Sequence, residues 1–420
     1  MEKALLVTVK FKNERNNWSF EDIAQEMEEL AATAGAEAFD NITCFPEKPT
    51  ANLFIGKGKA EEIGLLCQEE KIEVVIFSAD LSGTQQRNLE DVIGIKVIDR
   101  TQLILDIFAK HAHSPEGKMQ VELAQLQYLL PRLIGKGLIL SRTGGGIGTS
   151  GPGETRLEVD RRRIRKKIDR LQEDLKNYSL HRKTMRKRRR ENTVPTVALV
   201  GYTNAGKSTL INTLTEANQV VANSLFTTLD TASKMLQLPN GENIIISDTV
   251  GFLNSLPHHL IEAFKATLEE VVEADLLVHV LDITHPRLNE HAAAVFTVLK
   301  EIGAGEKPMI TALNKIDLVE DPAKLERLKH DFNNPVLISA KLKNNLGLLL
   351  EEIQKNFSGR MEKFQILVSH KRMDLVDLFY REGKVEDIQY VQEGIKIKVS
   401  LPKILAEKLL HSKDMVIQSS

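Results

Sequence analysis

The strongest limit on the fold of this chain comes from residues 196–215, where an apolar run, a glycine-containing octapeptide and a helical pattern follow one another. The octapeptide runs from Gly201 to Ser208 with the spacing GxxxxGK[ST]. Glycines at these positions let backbone N–H groups turn onto phosphate oxygens at a helix N-terminus, where the helix dipole also favours anions. We therefore expect a buried parallel strand, a phosphate loop and a helix within a nucleotide-binding α/β domain.

The polar residues of the octapeptide have separate predicted roles. Lys207 is expected to reach the β- and γ-phosphates, and Ser208 to give its hydroxyl to Mg²⁺, which bridges the same oxygens. By average residue usage, such a pattern arises by chance in a chain of this length only about once in a hundred times. The predicted phosphate-binding residues are Gly201, Asn204, Ala205, Gly206, Lys207, Ser208, Thr209 and, from a later segment, Gly251.

Later segments indicate which base is bound. After the apolar strand Ile244-Ile-Ile-Ser, Asp248 is expected to hold Mg²⁺ through water and the N–H of Gly251 to bond a γ-phosphate oxygen. After a strand at 308–313, the Asp317 carboxylate can accept hydrogen bonds from N1–H and the exocyclic amine of guanine, donors that adenine lacks there. The Ala340 N–H is expected to bind O6 of the base. The predicted guanine-binding residues are Asn314, Lys315, Asp317, Ser339, Ala340 and Lys341.

Together and in this order, the segments resemble the small regulatory GTPases of the translation-factor class. The resemblance implies two switch regions and a switch threonine on Mg²⁺. Thr228 is the predicted threonine, and the adjacent Thr227 is an alternative that the sequence does not separate from it. The implied metal ligands are Ser208, Thr228 and Asp248. The implied switch residues are Phe226, Thr227, Thr228, Leu229, Asp230, Thr249, Val250 and Phe252.

One switch residue departs from the Ras-like pattern. Phe252 follows Gly251 at the position where such GTPases carry the glutamine that orients the attacking water. Intrinsic hydrolysis is therefore expected to be slow, and catalysis to depend on a residue elsewhere in the protein or on a partner. His258 and His259 lie close by in sequence, and a histidine there could polarise the attacking water. Solvent-exposed or helix-capping roles are commoner for such histidines.

Charge is distributed unevenly along the chain. The formal net charge is -2, yet the stretch from Arg156 to Arg190 contains 16 Lys or Arg against 5 Asp or Glu. A basic segment of this density is the footprint of a protein that binds nucleic-acid phosphates, and a solvated helix face is the plainer alternative. The chain has no apolar run long enough to span a membrane and no CxxC pair, so we expect a cytoplasmic protein.

Two coiled-coil seams flank a glycine-rich segment. The first contains Met119, Leu123, Leu126, Leu130 and Leu133, and the second contains Leu157, Ile164, Ile168, Leu171, Leu175 and Tyr178, with Arg161 also at a seam position. Pro131 is expected to kink or end the first arm. The pattern predicts an antiparallel hairpin with the glycine-rich segment at its tip. The alternative is two separate surface helices joined by a linker.

The predicted fold class is a multidomain α/β protein. Its N-terminal α/β domain (1–112) follows from alternating strands and helices, and its helical coiled-coil hairpin (113–194) carries a tip loop at 134–153. The P-loop GTPase domain (195–357) is expected to have a mixed sheet with helices on both faces. A small α/β domain (358–420), in which we recognise no chemistry, completes the chain.

The order of parts across the whole chain resembles the GTPase HflX family. The residues that carry the resemblance are Phe54-Ile-Gly-Lys-Gly-Lys59, the segments at 116–128 and 131–133, Gly148-Thr-Ser-Gly-Pro-Gly-Glu-Thr-Arg-Leu-Glu-Val-Asp-Arg-Arg162 and Asp248-Thr-Val-Gly-Phe252. The last of these makes Phe252 typical of the family. The resemblance implies a cytoplasmic, Mg²⁺-dependent GTPase that converts GTP to GDP, binds the large ribosomal subunit and its rRNA, and splits stalled or idle ribosomes under stress.

The residues themselves support one of these implications, the binding of rRNA. The Lys and Arg side chains of a basic hairpin can contact phosphates, and a tip of small residues can approach bases closely. We expect a ribosome-stimulated monomer without a membrane or DNA partner. Two alternatives remain: a slow-hydrolysing switch in large-subunit assembly, and an ATP-dependent rRNA-remodelling factor with a second nucleotide site at Gly56-Lys-Gly or the tip. The candidate RNA contacts are Arg132, Lys136, Arg142, Gly148, Gly151, Gly153, Arg156, Arg161 and Arg162.

Overall fold

The computed structural model describes residues 1–11, 18–133, 156–191, 194–215, 226, 232–253, 265–409 and 415–419. They form two compact units, the first built mainly from Met1–Leu180 and the second mainly from His181–Ser420. The described residues contain three sheets with helices packed on them, which confirms the predicted multidomain α/β class. Within these ranges, no helix combines the length and the apolar character that crossing a membrane requires.

The N-terminal domain is a four-stranded parallel sheet in the order β2-β1-β3-β4. Alternating patterns predicted this sheet but missed β2, an edge strand whose side chains are mostly exposed. The Gly56-Lys-Gly segment lies where α2 begins. The strands are β1 (Glu2–Val9), β2 (Ala36–Cys44), β3 (Val74–Phe77) and β4 (Lys96–Asp99), and the helices are α1 (Phe20–Ala34), α2 (Lys57–Glu69), α3 (Gly83–Ile93) and α4 (Arg100–His111).

The two predicted hairpin arms are α5 (Pro115–Arg132) and α6 (Arg156–Glu191). They pack along the predicted seams, since Leu123 is buried with Ile168 and Leu171 in one cluster. The first arm ends one residue beyond its proline, as expected. Tyr178 is instead 42% exposed, because α6 has 36 residues and α5 only 18, so the far part of α6 has no counterpart in the first arm. The tip loop lies outside the described residues.

Arg132 has an internal role. Its guanidinium donates hydrogen bonds to the carbonyl oxygens of Leu81 (2.6 Å) and Tyr128 (3.0 Å) and to the carboxylate of Asp99 (2.9 Å). Asp99 is fully buried and also accepts from the Tyr128 hydroxyl. Burial raises the pKa of Asp99, and the Arg132 charge opposes that shift. These hydrogen bonds give Arg132 a structural role within its own unit, and its contact with RNA stays a prediction.

The P-loop domain has a six-stranded sheet in the order β10-β9-β8-β5-β7-β6, in which β6 alone is antiparallel to its neighbour. The carboxyl ends of the parallel strands share one edge, which brings the predicted motifs together. The strands are β5 (Thr196–Val200), β6 (Ser233–Gln237), β7 (Asn243–Asp248), β8 (Leu276–Asp282), β9 (Met309–Asn314) and β10 (Pro335–Leu337). The helices are α7 (Lys207–Thr215), α8 (Lys265–Glu273), α9 (Leu288–Glu301), α10 (Pro322–Asp331) and α11 (Leu346–Asn356).

The C-terminal domain has an antiparallel sheet in the order β12-β13-β11-β14. It contains the predicted strands and helices, and its helices share one apolar cluster with the sheet. Its first helix contacts the start of β7, where Asn243 Nδ2 donates to the Arg381 carbonyl at 2.9 Å. Its second strand contacts the turn before β7, where Lys384 Nζ donates to the Pro239 carbonyl at 3.2 Å. The elements are β11 (Met361–Val368), β12 (Lys384–Val391), β13 (Gly394–Pro402), β14 (Met415–Ser419), α12 (Met373–Glu382) and α13 (Lys403–Leu409).

Candidate nucleotide-binding site

The phosphate loop joins β5 to α7, and one asparagine fastens it to two distant segments. Asn314 Nδ2 donates to the Ala205 carbonyl at 2.9 Å, and Asn314 Oδ1 accepts from the Ala340 N–H at 3.0 Å. Gly206 has a φ of 98°, and a Cβ there would lie 2.3 Å from Asn314 Nδ2. Only glycine allows this approach, so the second glycine of the motif also positions the base-binding segments.

Lys207 and Ser208 begin α7. Lys207 is 6% exposed, and its Nζ donates to the carbonyls of Gly201 at 3.0 Å and Tyr202 at 2.9 Å. The Ser208 hydroxyl donates to Asp248 Oδ2 at 2.7 Å, so two predicted metal ligands are adjacent. Burial lowers the pKa of Lys207 from 10.5 to about 8, and the Asp248 charge opposes the shift. Of the other predicted phosphate ligands, Asn204 has a left-handed φ of 61° and Thr209 lies in the first turn of α7.

The lowered pKa of Lys207 predicts a pH-dependent nucleotide affinity. Phosphates bind the ammonium form, so the pKa rises on binding. Below pH about 8 the free protein already holds this proton, and the affinity should not change with pH. At higher pH, binding takes up a proton, and the affinity for GDP should fall by up to about tenfold per pH unit. Calorimetry at pH near 9 in two buffers of different ionisation enthalpy measures this uptake. Lys207→Arg, which stays protonated, should lack it, and equal uptake by both proteins would contradict the assignment.

The second predicted switch begins at the end of β7. Asp248 is fully buried there, and the Thr249 hydroxyl donates to the Leu199 carbonyl at 2.6 Å. Val250 and Phe252 are also buried. The aromatic ring at the glutamine position therefore lies in the apolar interior of the domain.

The first predicted switch is described at Phe226 only. This residue belongs to the first unit, has a left-handed φ of 56° and is buried with its ring 4.5 Å from that of Phe108. Four further residues lie outside the described part of the chain, so the switch threonine stays a prediction. They are Thr227, Thr228, Leu229 and Asp230.

Asp317, the predicted guanine discriminator, lies in the 3-10 turn Ile316–Leu318. Its Oδ1 atom is buried and has no hydrogen-bond partner among the residues that the structure describes. An unpaired buried acceptor costs about 1–3 kcal/mol, and more when it is charged. Guanine offers two donors to a carboxylate in this place, so the structure fits a guanine ligand.

The remaining guanine-binding candidates shape the base pocket through protein contacts. Lys315 has a left-handed φ of 69°, and its Nζ donates to Asp282 Oδ2 at 2.6 Å. The Ala340 N–H donates to Asn314 Oδ1, as described above, and its hydrogen bond to O6 of the base stays a prediction. Ser339 is buried and Lys341 is exposed.

Three side chains packed around the phosphate loop were missed by sequence reasoning. Tyr202 stacks on His291 with ring centroids 3.8 Å apart. Neither ring nitrogen of His279 in β8 has a partner in the described ranges, and burial, followed by the Lys207 charge, lowers its pKa to about 3. The Thr203 hydroxyl is also buried. Tyr202 and Thr203 occupy unspecified motif positions, and His279 lies in an apolar strand, so no spacing marked them.

Comparisons with known proteins cover nearly the whole chain. Family models described as GTP-binding GTPase N-terminal, GTP-binding GTPase Middle Region and 50S ribosome-binding GTPase match residues 21–109, 111–189 and 196–315. The GTPase HflX of Caldanaerobacter subterraneus subsp. tengcongensis is 46% identical over 408 residues, which span 97% of this chain and 93% of that protein. The chain belongs to the HflX family of GTPases. The GTPase HflX of Escherichia coli strain K12 is 40% identical, with 99% of this chain and 97% of that protein covered.

Membership of the HflX family confirms the resemblance seen in the sequence. The protein binds guanine nucleotide and hydrolyses GTP, as its P-loop domain and relatives show. A crystal structure of a GTP-binding protein from Sulfolobus solfataricus in complex with GDP is similar to it, with 26% identity, 85% of this chain and 98% of that chain covered, and a TM-score of 0.45.

Proposed function

We propose that this HflX-family GTPase binds the large ribosomal subunit through its rRNA and dissociates or rescues ribosomes under stress. The observation that carries the proposal is the basic surface of α6. Exposed on its first turns are Arg162, Arg163, Arg165, Lys166 and Arg170. A helix with this charge can neutralise several RNA phosphates and release their counterions. The family model that matches 196–315, described as a 50S ribosome-binding GTPase, supports the same partner.

The predicted RNA contacts differ in how far the structure describes them. Arg162 is exposed on α6. Arg161 is half-buried at its seam position, and its buried Nε has no hydrogen-bond partner among the described residues. We therefore propose that Arg161 contributes to helix packing in preference to RNA contact. The tip candidates Lys136, Arg142, Gly148, Gly151 and Gly153 lie outside the described residues, as does the side chain of Arg156.

Mg²⁺ is the proposed cofactor. Ser208 and Asp248 offer adjacent hard oxygen donors of the kind that Mg²⁺ prefers, and Thr228 is the proposed third protein ligand. When bound, the ion neutralises charge on the β- and γ-phosphate oxygens. Three residues of the chain have separate proposed roles in binding GTP. Lys207 holds the phosphates, the Gly251 N–H binds a γ-phosphate oxygen, and Asp317 selects guanine.

Neutralising the basic surface tests the RNA-binding part of the proposal. The triple variant Arg162→Gln, Arg165→Gln, Lys166→Gln should bind large subunits at least about tenfold more weakly. The slope of log affinity against log salt should become shallower by about 0.7–0.9 for each RNA phosphate that the variant no longer neutralises. GTP affinity should not change, because these residues lie outside the nucleotide site. Filter binding of subunits at several salt concentrations measures the first two quantities.

A matched variant controls for net charge. Lys324→Gln, Lys396→Gln, Lys398→Gln removes the same charge from exposed positions of other domains and should bind subunits normally. Light scattering of intact ribosomes with GTP should then show dissociation by the wild type and the control, and slower dissociation by the α6 variant. Unchanged subunit binding by the α6 variant, or loss of its GTP binding, would refute the proposed interface. No dissociation by the wild type would favour the assembly-switch alternative.

A further inference from the structure

Gly251, Thr203 and Lys207 meet at one point in the P-loop domain. A Cβ placed on Gly251 would lie 2.8 Å from Thr203 Cγ2, 2.9 Å from Thr203 Cα and 3.1 Å from Lys207 Nζ. The Gly251 N–H and the Lys207 amine are the groups expected to hold the γ-phosphate. Thr203 therefore borders the place where the transferred phosphoryl group binds.

The second switch segment is hydrogen-bonded to the phosphate loop at this point. The Thr203 N–H donates to the Phe252 carbonyl at 2.9 Å, and the Phe252 N–H donates to the Gly201 carbonyl at 3.1 Å. Lys207 Nζ bonds to two carbonyls of the loop itself, those of Gly201 and Tyr202. The backbone of Phe252 is thus hydrogen-bonded to the phosphate loop on both sides of Tyr202, and the Thr203 side chain lies beside Gly251.

The hydroxyl of Thr203 is buried and unpaired among the described residues. The residue is 6% exposed, and its Oγ1 atom has no hydrogen-bond partner within the described ranges. A buried hydroxyl without a partner destabilises the fold, whereas valine has the same shape and lacks that cost. Packing therefore does not explain a threonine here. A γ-phosphate oxygen would supply a charged acceptor and a strong hydrogen bond.

We propose that Thr203 is a catalytic residue whose hydroxyl donates to a γ-phosphate oxygen during GTP hydrolysis. The side chain of Phe252, at the glutamine position, is 2% exposed and has no polar atom, so it cannot orient water or bind the phosphoryl group. A hydrogen-bond donor in the phosphate loop would compensate for part of the transition-state stabilisation that the missing glutamine provides in Ras-like GTPases. Thr203 is suited to this role because its backbone belongs to the phosphate loop while its Cγ2 lies beside Gly251 of the second switch.

The step itself is displacement at phosphorus. The oxygen of water bonds to the γ-phosphorus, and the bond from that phosphorus to the β–γ bridging oxygen breaks with its electron pair left on GDP. One water proton stays on the phosphate product and the other passes to solvent. Negative charge is spread over the γ-phosphoryl oxygens in the transition state, and a fixed hydroxyl donor stabilises it there.

Thr203→Val and Thr203→Ser separate the hydroxyl from the shape of the side chain. In single-turnover hydrolysis of GTP, the valine variant should be about 10- to 100-fold slower and the serine variant within about threefold of wild type. GDP has no γ-phosphate, so both variants should bind it within about twofold of wild type. Thr297→Val, at an exposed position of α9, is the matched control and should hydrolyse GTP normally.

Thermal unfolding tests whether a lower hydrolysis rate results from a destabilised fold. The nucleotide-free valine variant should melt at or above the wild-type temperature, because an unpaired buried hydroxyl has been removed. A lower rate together with retained stability and GDP affinity supports the catalytic role. A valine variant with the wild-type rate overturns it. So does a parallel loss of GDP affinity and stability, which would show that Thr203 only maintains the loop.

Discussion

Asp317→Asn is expected to change the nucleotide preference of this GTPase from guanine to xanthine. The buried Oδ1 of Asp317 has no hydrogen-bond partner in the described part of the protein, and we predict that it accepts a hydrogen bond from the base. In the variant, an amide N–H₂ faces the guanine amine, donor against donor, whereas xanthine presents a carbonyl oxygen there. Sites built to hydrogen-bond a substrate reject one with the wrong group by about 10⁴-fold, so kcat/KM for GTP should fall by about 10³- to 10⁴-fold.

Steady-state turnover of GTP and xanthosine triphosphate by both proteins measures this exchange. The variant should hydrolyse xanthosine triphosphate with much of the wild-type efficiency for GTP, since the phosphate loop is untouched. Asp331→Asn is the matched control, because Asp331 is exposed at the end of α10. Equal losses with both nucleotides would mean that Asp317 supports the fold of the pocket and does not read the base.

Motifs whose spacing follows from backbone geometry were predictable from the sequence. The phosphate loop needs glycine between a strand and a helix, and the structure places it between β5 and α7. The hairpin seams were predictable for a similar reason, since a repeat of 3.5 residues leaves an apolar stripe that another helix must cover. Leu123, Ile168 and Leu171 are buried on that stripe.

Features that depend on partners far along the chain were not predictable. Arg132 lies near the end of the first seam in a chain with a basic helix, and the sequence predicted only a contact with RNA for it. Its acceptors on Asp99 and Leu81 lie 33 and 51 positions away in sequence, and no local pattern reveals them. The same holds for Thr203, whose proposed role depends on its approach to Gly251, 48 positions away in sequence.

Lys207→Ala is expected to reduce GTP turnover by at least about 100-fold, because it removes the charged donor for the β- and γ-phosphates. Single-turnover hydrolysis with saturating protein measures the loss, and Lys324→Ala, at an exposed position of α10, should leave turnover normal. Retention of GTP hydrolysis by the variant would place the reaction elsewhere. ATP hydrolysis that survives the substitution would support a second nucleotide site.

The same substitution should destabilise the nucleotide-free fold less at pH 7 than at pH 10. Burial lowers the pKa of Lys207 from 10.5 to about 8, and at about 1.4 kcal/mol per unit the buried ammonium costs the fold on the order of 3 kcal/mol below pH 8. That cost disappears as pH rises from 8 to 10.5, where the unfolded chain also loses the proton. Alanine relieves this cost but gives up two hydrogen bonds of about 1 kcal/mol each and three buried methylene groups of about 0.8 kcal/mol each. Urea unfolding at pH 7 and 10 measures the loss of stability at each pH, and an equal loss at both would contradict the lowered pKa of Lys207. The three residues Lys207, Thr203 and Asp317 therefore differ in kind: Lys207 has hydrogen-bond partners but a buried charge, whereas Thr203 and Asp317 have buried oxygens without partners among the described residues, and we expect GTP to interact with all three.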